Sequence, residues 1–264
     1  MPLYQSQHST PVVMTFSDHN SCGGSGVHAD VETLFSIGCH CSSVPTALTA
    51  QDTHEFKDTY ATEPAILIGQ ARAVLEDMMV AAFKVGHIES IRNIQVIHTI
   101  LTDYPEPPII LEPAFTSLNR LVSASIIDAI RSLLLPLATI VTVNVQEAHY
   151  LGANGDTLDA CAHEILDNGC SYVLISGTNT EVKTVTNSLY SRAGNIRNWE
   201  WPRLPHLYLG SGSTLAASLA AYLAHGIDMI SAVEQAQSYT WKSLKSGRRM
   251  GMGQHIPNRM FWAH

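Results

Sequence analysis

A three-layer α/β/α fold with a mostly parallel central sheet is what this sequence predicts, and three observations carry the prediction. Apolar runs of strand length alternate with amphipathic stretches of helix length along most of the chain, a rhythm that implies crossover connections and a sheet covered on both faces. The 264 residues, 45% of them hydrophobic, are ample for a full core. No linker, internal repeat, low-complexity tract or charge block interrupts the pattern, so residues 1–264 read as one domain.

Taken in order, "PVVMTF" (Pro11–Phe16) predicts the first strand, followed by a glycine-rich turn and a helix over Val27–Ile37. "CHCSSVPTALTA" brings a second strand into a loop, and a long helix covers Glu63–Met79. Strand Ala81–Gly86 precedes a helix over Ser90–Thr102, which ends before a proline-rich turn and strand Pro108–Leu111. Helix Ala124–Leu134, strand Ala138–Val143, helices Glu147–Gly152 and Leu158–Asn168, and strand Tyr172–Ser176 continue the alternation. "VKTVTNSLYSR" (Val182–Arg192) and "NWEWP" (Asn198–Pro202) predict shorter antiparallel strands. Two helices close the chain, from Ser213 and from Met229; Leu215, Leu219 and Leu223 recur every four residues and share one face of the first.

A net charge of -8 argues against nucleic acid or an anionic membrane as the main partner. No apolar run reaches the roughly eighteen residues of a membrane span, and no charged start with a long apolar stretch opens the chain, so a cytoplasmic protein is expected. Five cysteines, an odd number, then read as free thiols. "CHC" at Cys39–Cys41 is open to a zinc reading, but no second pair follows at ligand spacing; in a strand the two thiols simply share a face. None of the thirteen histidines forms H-x-x-x-H or H-E-x-x-H, so metal-dependent hydrolysis gains little support.

In open sheets of this kind ligands sit at the carboxyl ends of the strands, which directs attention to two glycine-rich turns. "GSGVHA" within "CGGSGVHAD" matches G-x-G-x-x-A, but the acidic residue of a dinucleotide site is not placed about twenty residues on; Asp30 follows directly instead. The later "LGSGSTLAASLAAYLA" (Leu209–Ala224) has no Gly-Lys of a Walker loop. Gly210, Ser211 and Gly212 do supply successive unshielded N–H groups at a helix start, where the helix dipole favours an anion. The rival reading is an ordinary turn with Ser213 or Thr214 as helix cap.

"GGSGVHADVETLFSIGCHCSSVPTALTAQDT" resembles the amino-terminal signature of the hydroxymethylpyrimidine/phosphomethylpyrimidine kinases of thiamine synthesis, members of the ribokinase-like superfamily. The likeness continues in order through "FKVGHIES", "PIILEPAF", "LLLPLATIVTVNVQEAHYL", "YVLISG", "GSGSTLAASLAA" and "GQHIPNRMFW", spanning essentially the whole chain. The resemblance implies a ribokinase-like fold and ATP-dependent phosphorylation of a 4-amino-5-hydroxymethyl-2-methylpyrimidine or its monophosphate. It also implies ATP and magnesium as cofactors, admits a monovalent cation, and admits a homodimer.

By the same resemblance Gly210, Ser211 and Gly212 form the anion hole for the transferring phosphoryl, with Ser213 at the catalytic base position. Asp30 and Gln51 match positions that hydrogen-bond the aminopyrimidine, with Thr49 and His87 beside them on the substrate side. Asn144 and Glu147 of "TVNVQE" match the magnesium-organising segment, although the same pair also reads as a helix N-cap with its reciprocal glutamate. Glu112 stands where Asp is usual near the magnesium-triphosphate, and "GMGQHIP" matches the adenine side. Lys84 lies in a matching segment, though a lone lysine also reads as a surface cation.

The departures gather at the substrate end. The usual Gly-Ser-Asp reads Asp18, His19 and Asn20, a common Met reads His87, and Ser213 replaces the Cys of relatives or the Asp of the wider superfamily. A serine hydroxyl needs a partner to act as a base, and none is identifiable in the sequence. Two further readings therefore stand beside the kinase: a catalytically impaired pyrimidine-binding or regulatory homologue, and a pyridoxal kinase-like enzyme.

Overall fold

The structure, a computed structural model, describes residues 10–117, 120–153, 155–179 and 183–263. Its elements are β1 (Val12–Asn20), α1 (Gly26–Ser36), β2 (His40–Gln51), β3 (Phe56–Ala61), α2 (Pro64–Leu75), β4 (Val80–Val85), α3 (Ile91–Asp103) and β5 (Ile109–Leu111). A small hairpin of β6 (Thr116–Ser117) and β7 (Arg120–Leu121) follows, then α4 (Ala124–Ala129), β8 (Ile140–Asn144), α5 (Val145–Leu151) and α6 (Leu158–Asp167). The remainder is β9 (Tyr172–Ser176), β10 (Thr184–Ser191), β11 (Gly194–Pro202), α7 (Ser211–Ala224) and α8 (Met229–Lys245).

Nine strands form one sheet in the order β11-β10-β9-β8-β5-β4-β1-β2-β3. The run from β2 to β9 is parallel, and β3, β10 and β11 add antiparallel edges. Alternation along the strands sorts the core into two layers, because successive side chains point to opposite faces. Met14, Phe16, Phe83, Val85, Val141 and Val143 pack under α2 through α6, while Val13, Ala82, Ile110, Ile140 and Leu174 meet α1, α7 and α8. The expected three layers are thus present, and no helix among the described residues is long and apolar enough to cross a membrane.

Several boundaries differ from expectation for local reasons. The stretch read as a loop after the second strand contains β3, an edge strand whose residues are exposed or half-buried throughout; a strand wet on both faces has no apolar alternation to read. Helix α2 stops at Leu75 rather than Met79, whose side chain is 94% exposed and has no packing to hold another turn. The helix predicted over Ala124–Leu134 widens into a π-helical turn at Ile130–Leu134 before Pro136. Val182, the expected start of an antiparallel strand, lies outside the described residues, as do the first nine.

Cys39 and Cys41 both pack in the α1/α7/α8 layer. Burial pushes their thiols up to about 11 and about 12, which keeps the free thiols protonated near neutrality. Among the described residues no group of three or more His, Cys, Asp or Glu side chains could hold a metal ion.

Candidate active site

Strands β1, β4, β5 and β8 run parallel, so their carboxyl ends emerge along one rim. β1 is flanked by β2 on one side and β4 on the other, which makes the rim beside it the switch point where a crevice opens. An open cavity of about 1200 Å3 occupies this rim, lined by Asp18 from β1, Lys84 from β4, Glu112 just past β5, and Thr142 and Asn144 from β8. Gly210, Ser211, Gly212 and Ser213 close it from the α7 side.

The anion turn has the open backbone that its glycines imply. Gly210 is the N-cap of α7 in the left-handed region (φ 84°), and no side chain caps the helix. Helix α7 therefore begins at Ser211, two residues earlier than expected, and the rival capping by Ser213 or Thr214 does not occur. Instead Thr214 Oγ1 donates back to the Gly210 carbonyl at 2.8 Å. Uncapped N–H groups at the start of a fourteen-residue helix form a site for negative charge. An added Cβ at Gly210 would run into the Gly24 carbonyl, so the two glycine turns touch.

Behind the turn lies a buried charge cluster. Lys84, read from sequence as a surface cation, is fully buried; its Nζ sits 3.0 Å from Asp30 Oδ1 and 2.8 Å from Glu112 Oε2. Burial alone would depress the lysine, but the two carboxylates outweigh it and hold Lys84 protonated above its usual range. Burial also pushes both carboxyl groups up, with Lys84 opposing that shift. Ser17 Oγ donates to Asp30 Oδ2 at 2.7 Å and Ser213 Oγ donates to Glu112 Oε1 at 3.1 Å, which completes the chain of contacts.

This arrangement places Asp30 behind the cavity wall. Its carboxylate is fully buried, does not line the cavity, and faces Ser17 and Lys84; Lys84 lines the cavity in its stead. Gln51, Thr49 and His87 do line it. The Gln51 Nε2 group is buried without a hydrogen-bond partner among the described residues, an unmet donor of the kind a ligand satisfies. His87 Nε2 lies 3.1 Å from Glu89 Oε2.

Asn144 and Glu147 also line the cavity, and they make the reciprocal cap of α5. Asn144 Oδ1 accepts from the Glu147 amide at 2.9 Å, and Glu147 Oε2 accepts from the Asn144 amide at 3.1 Å. The capping reading of this pair is the local structure observed. The segment "GMGQHIP", matched to the adenine side, packs at the loop after β2: the Gln254 amide donates to the Thr53 carbonyl at 2.8 Å, and Gln254 lines the main cavity.

Two positions gain a role that the sequence alone did not reveal. Asn20, which looked like a departure, is the pivot of the first glycine turn: its Oδ1 accepts from the Cys22 amide and its Nδ2 donates to Ser25 Oγ. Arg259, 1% exposed, donates to Thr214 Oγ1, to the Gly24 carbonyl and to Glu32. It thereby ties the chain end, α1 and the first turn of α7 together. The only signal for it was its place in the closing "GQHIPNRMFW".

A mostly parallel sheet, a crevice at its switch point and an uncapped glycine turn opening a late helix define a ribokinase-like small-molecule kinase. The chain belongs to the phosphomethylpyrimidine kinase family, whose model matches residues 20–258. The hydroxymethylpyrimidine/phosphomethylpyrimidine kinase of Synechococcus elongatus is 32% identical over 254 residues, covering 93% of this chain and 96% of that protein. The chloroplastic thiamine biosynthetic bifunctional enzyme of Arabidopsis thaliana is 30% identical over 261 residues; the match takes in 96% of this chain, which spans about half of that longer protein (50%). Pyridoxal kinase from Staphylococcus aureus, solved with pyridoxal, superposes with a TM-score of 0.88 at 21% identity, over 97% of this chain and 95% of that one. That last likeness is one of fold.

Proposed function

We propose that the protein transfers the γ-phosphoryl group of ATP to the hydroxymethyl oxygen of 4-amino-5-hydroxymethyl-2-methylpyrimidine, or to the phosphate of its monophosphate. One observation carries the reading: a single cavity has the uncapped N–H groups of α7 in one wall and the unpartnered amide of Gln51 in another. Backbone donors suit a phosphoryl group whose oxygens gain charge during transfer, and an amide suits a ring with donor and acceptor edges. Thr49 and His87 border the same space.

A neighbouring cavity of about 650 Å3 shares Tyr208 and Leu215 with the first and is bordered by Trp201, His206 and Trp241. Its flat aromatic walls suit the adenine ring. Asn144 and Glu147 offer hard oxygen atoms at the cavity wall, the donor type magnesium prefers when phosphates and water complete its shell. Magnesium bound with ATP supplies neutralisation of phosphate charge. The same proposal includes a single domain and a cytoplasmic setting, and the resemblance admits a homodimer.

The test is incubation with ATP, magnesium and each of hydroxymethylpyrimidine, its monophosphate and pyridoxal, read by product mass. The expected product is the phosphorylated pyrimidine; turnover of pyridoxal alone, or of nothing, overturns the reading. Gln51→Ala is expected to weaken pyrimidine binding by about 1–3 kcal/mol and to leave ATP affinity nearly unchanged. Calorimetric titration of each ligand checks this, and equal loss of both rejects the assignment.

A further inference from the structure

The proton of the acceptor hydroxyl must go somewhere when its oxygen is phosphorylated. The residue that follows the glycine turn, Ser213, carries a hydroxyl, is 6% exposed and lines the cavity. An alcohol holds its own proton at neutral pH, so it accepts another only if it can pass one on. The structure supplies the receiver. Ser213 Oγ donates to Glu112 Oε1 at 3.1 Å, across 101 residues of chain. A Cβ built on Gly212 would lie 2.8 Å from that same oxygen, so Oε1 sits directly beside the anion turn.

The rest of the site holds Glu112 in that pose. Its other oxygen is 2.8 Å from Lys84 Nζ, and Lys84 is in turn held by Asp30. Just past it the backbone turns at Ala114, whose φ of 48° is the one positive value at a non-glycine among the described residues. Such a conformation persists only where its surroundings enforce it.

We propose that Glu112, acting through Ser213, is the proton acceptor of the reaction and supplies the carboxylate that position 213 lacks. This rests on the kinase reading above. The acceptor oxygen bonds to the γ-phosphorus as the bond from that phosphorus to the β–γ bridging oxygen breaks, and ADP leaves with the electron pair. The acceptor's proton moves to Ser213 Oγ while Ser213 passes its own proton to Glu112 Oε1; Glu112 then returns it to water. Lys84, kept protonated between two carboxylates, holds Glu112 in its receptive form and is not itself the receiver.

The test compares steady-state kinetics of the full-length parent with Glu112→Gln, Ser213→Ala and the double variant Glu112→Gln/Ser213→Asp. A general base is typically worth about 10²–10⁴-fold. Glu112→Gln is expected to lose that much kcat, with KM for ATP and for the pyrimidine within about threefold of the parent. The double variant, which puts a carboxylate at position 213 itself, is expected to recover at least about tenfold over Glu112→Gln; the unchanged KM values, not this gain, separate proton transfer from a merely structural role. Ser213→Ala leaves the Lys84–Glu112 pair in place and is expected to lose roughly tenfold or more, so it decides the matter even if Glu112→Gln does not fold. A kcat within about threefold of the parent for Ser213→Ala or for folded Glu112→Gln, or no rescue in the double variant, overturns the inference while the kinase reading stands. A parent inactive on every pyrimidine overturns both.

Discussion

Lys84→Met is expected to lower stability by about 3–5 kcal/mol near neutral pH, because it leaves Asp30 and Glu112 buried without their cation. For a chain of this length that is a fall of roughly 10 °C in Tm. The pH dependence has a definite sign. Burial already raises both carboxyl groups, and removing Lys84 takes away the charge that opposes the rise. A group whose folded pKa is raised contributes stability that is fully present below its unfolded pKa and is lost as pH rises through the folded value. The penalty of Lys84→Met is therefore expected to be small near the ordinary carboxylate pKa of about 4 and to grow as pH rises above it. Thermal melts of parent and variant across that window check this. A penalty that does not change with pH, or one under about 1 kcal/mol, refutes the buried cluster.

Gly212→Val is expected to abolish phosphoryl transfer while sparing pyrimidine binding. Gly212 lies in the first turn of α7 and has no positive φ, and an added Cβ meets only the Glu112 carboxyl, with Oε1 at 2.8 Å and its carbon at 3.7 Å. The helix itself therefore tolerates a side chain there, unlike Gly210, where φ is 84° and the Gly24 carbonyl blocks any Cβ. A valine would cover the N–H groups to which the kinase reading assigns the phosphoryl and would push Glu112 from its contact with Ser213. Losing one such donor typically costs about 10²–10³ in kcat, so losing the turn as a whole is expected to cost at least that much. Single-turnover assays with calorimetric titration of the pyrimidine separate the two effects. A folded variant with normal turnover shows the turn to be only a helix start.

Much of this was legible along the chain, and the reason is local. The alternation of strand and helix lengths, the glycine turn at Gly210–Gly212 and the Asn144–Glu147 cap each depend on residues within a few positions of one another. The ordered series of motifs carried the family in the same way. β3 escaped because an edge strand exposed on both faces leaves no apolar period, and α2 ran short because nothing buries Met79.

The sequence by itself determined which backbone would be bare, most of the alternation of strands and helices, and which family the chain joins, since each follows from short-range pattern. Only the tertiary structure decided what the charged residues do there. Lys84, though in a matching segment, also read as a surface cation, and Ser213 as a hydroxyl without an identifiable partner. Folding brings α1, β4, the end of β5 and α7 to one point, where Lys84 joins Asp30 to Glu112 and Glu112 receives Ser213. A charge taken out of water must find an opposite charge or give up its ionisation, and its partner can lie on any strand that the sheet order puts alongside. Residue spacing in the chain carries no record of that order, so these pairings become visible only once the sheet has formed.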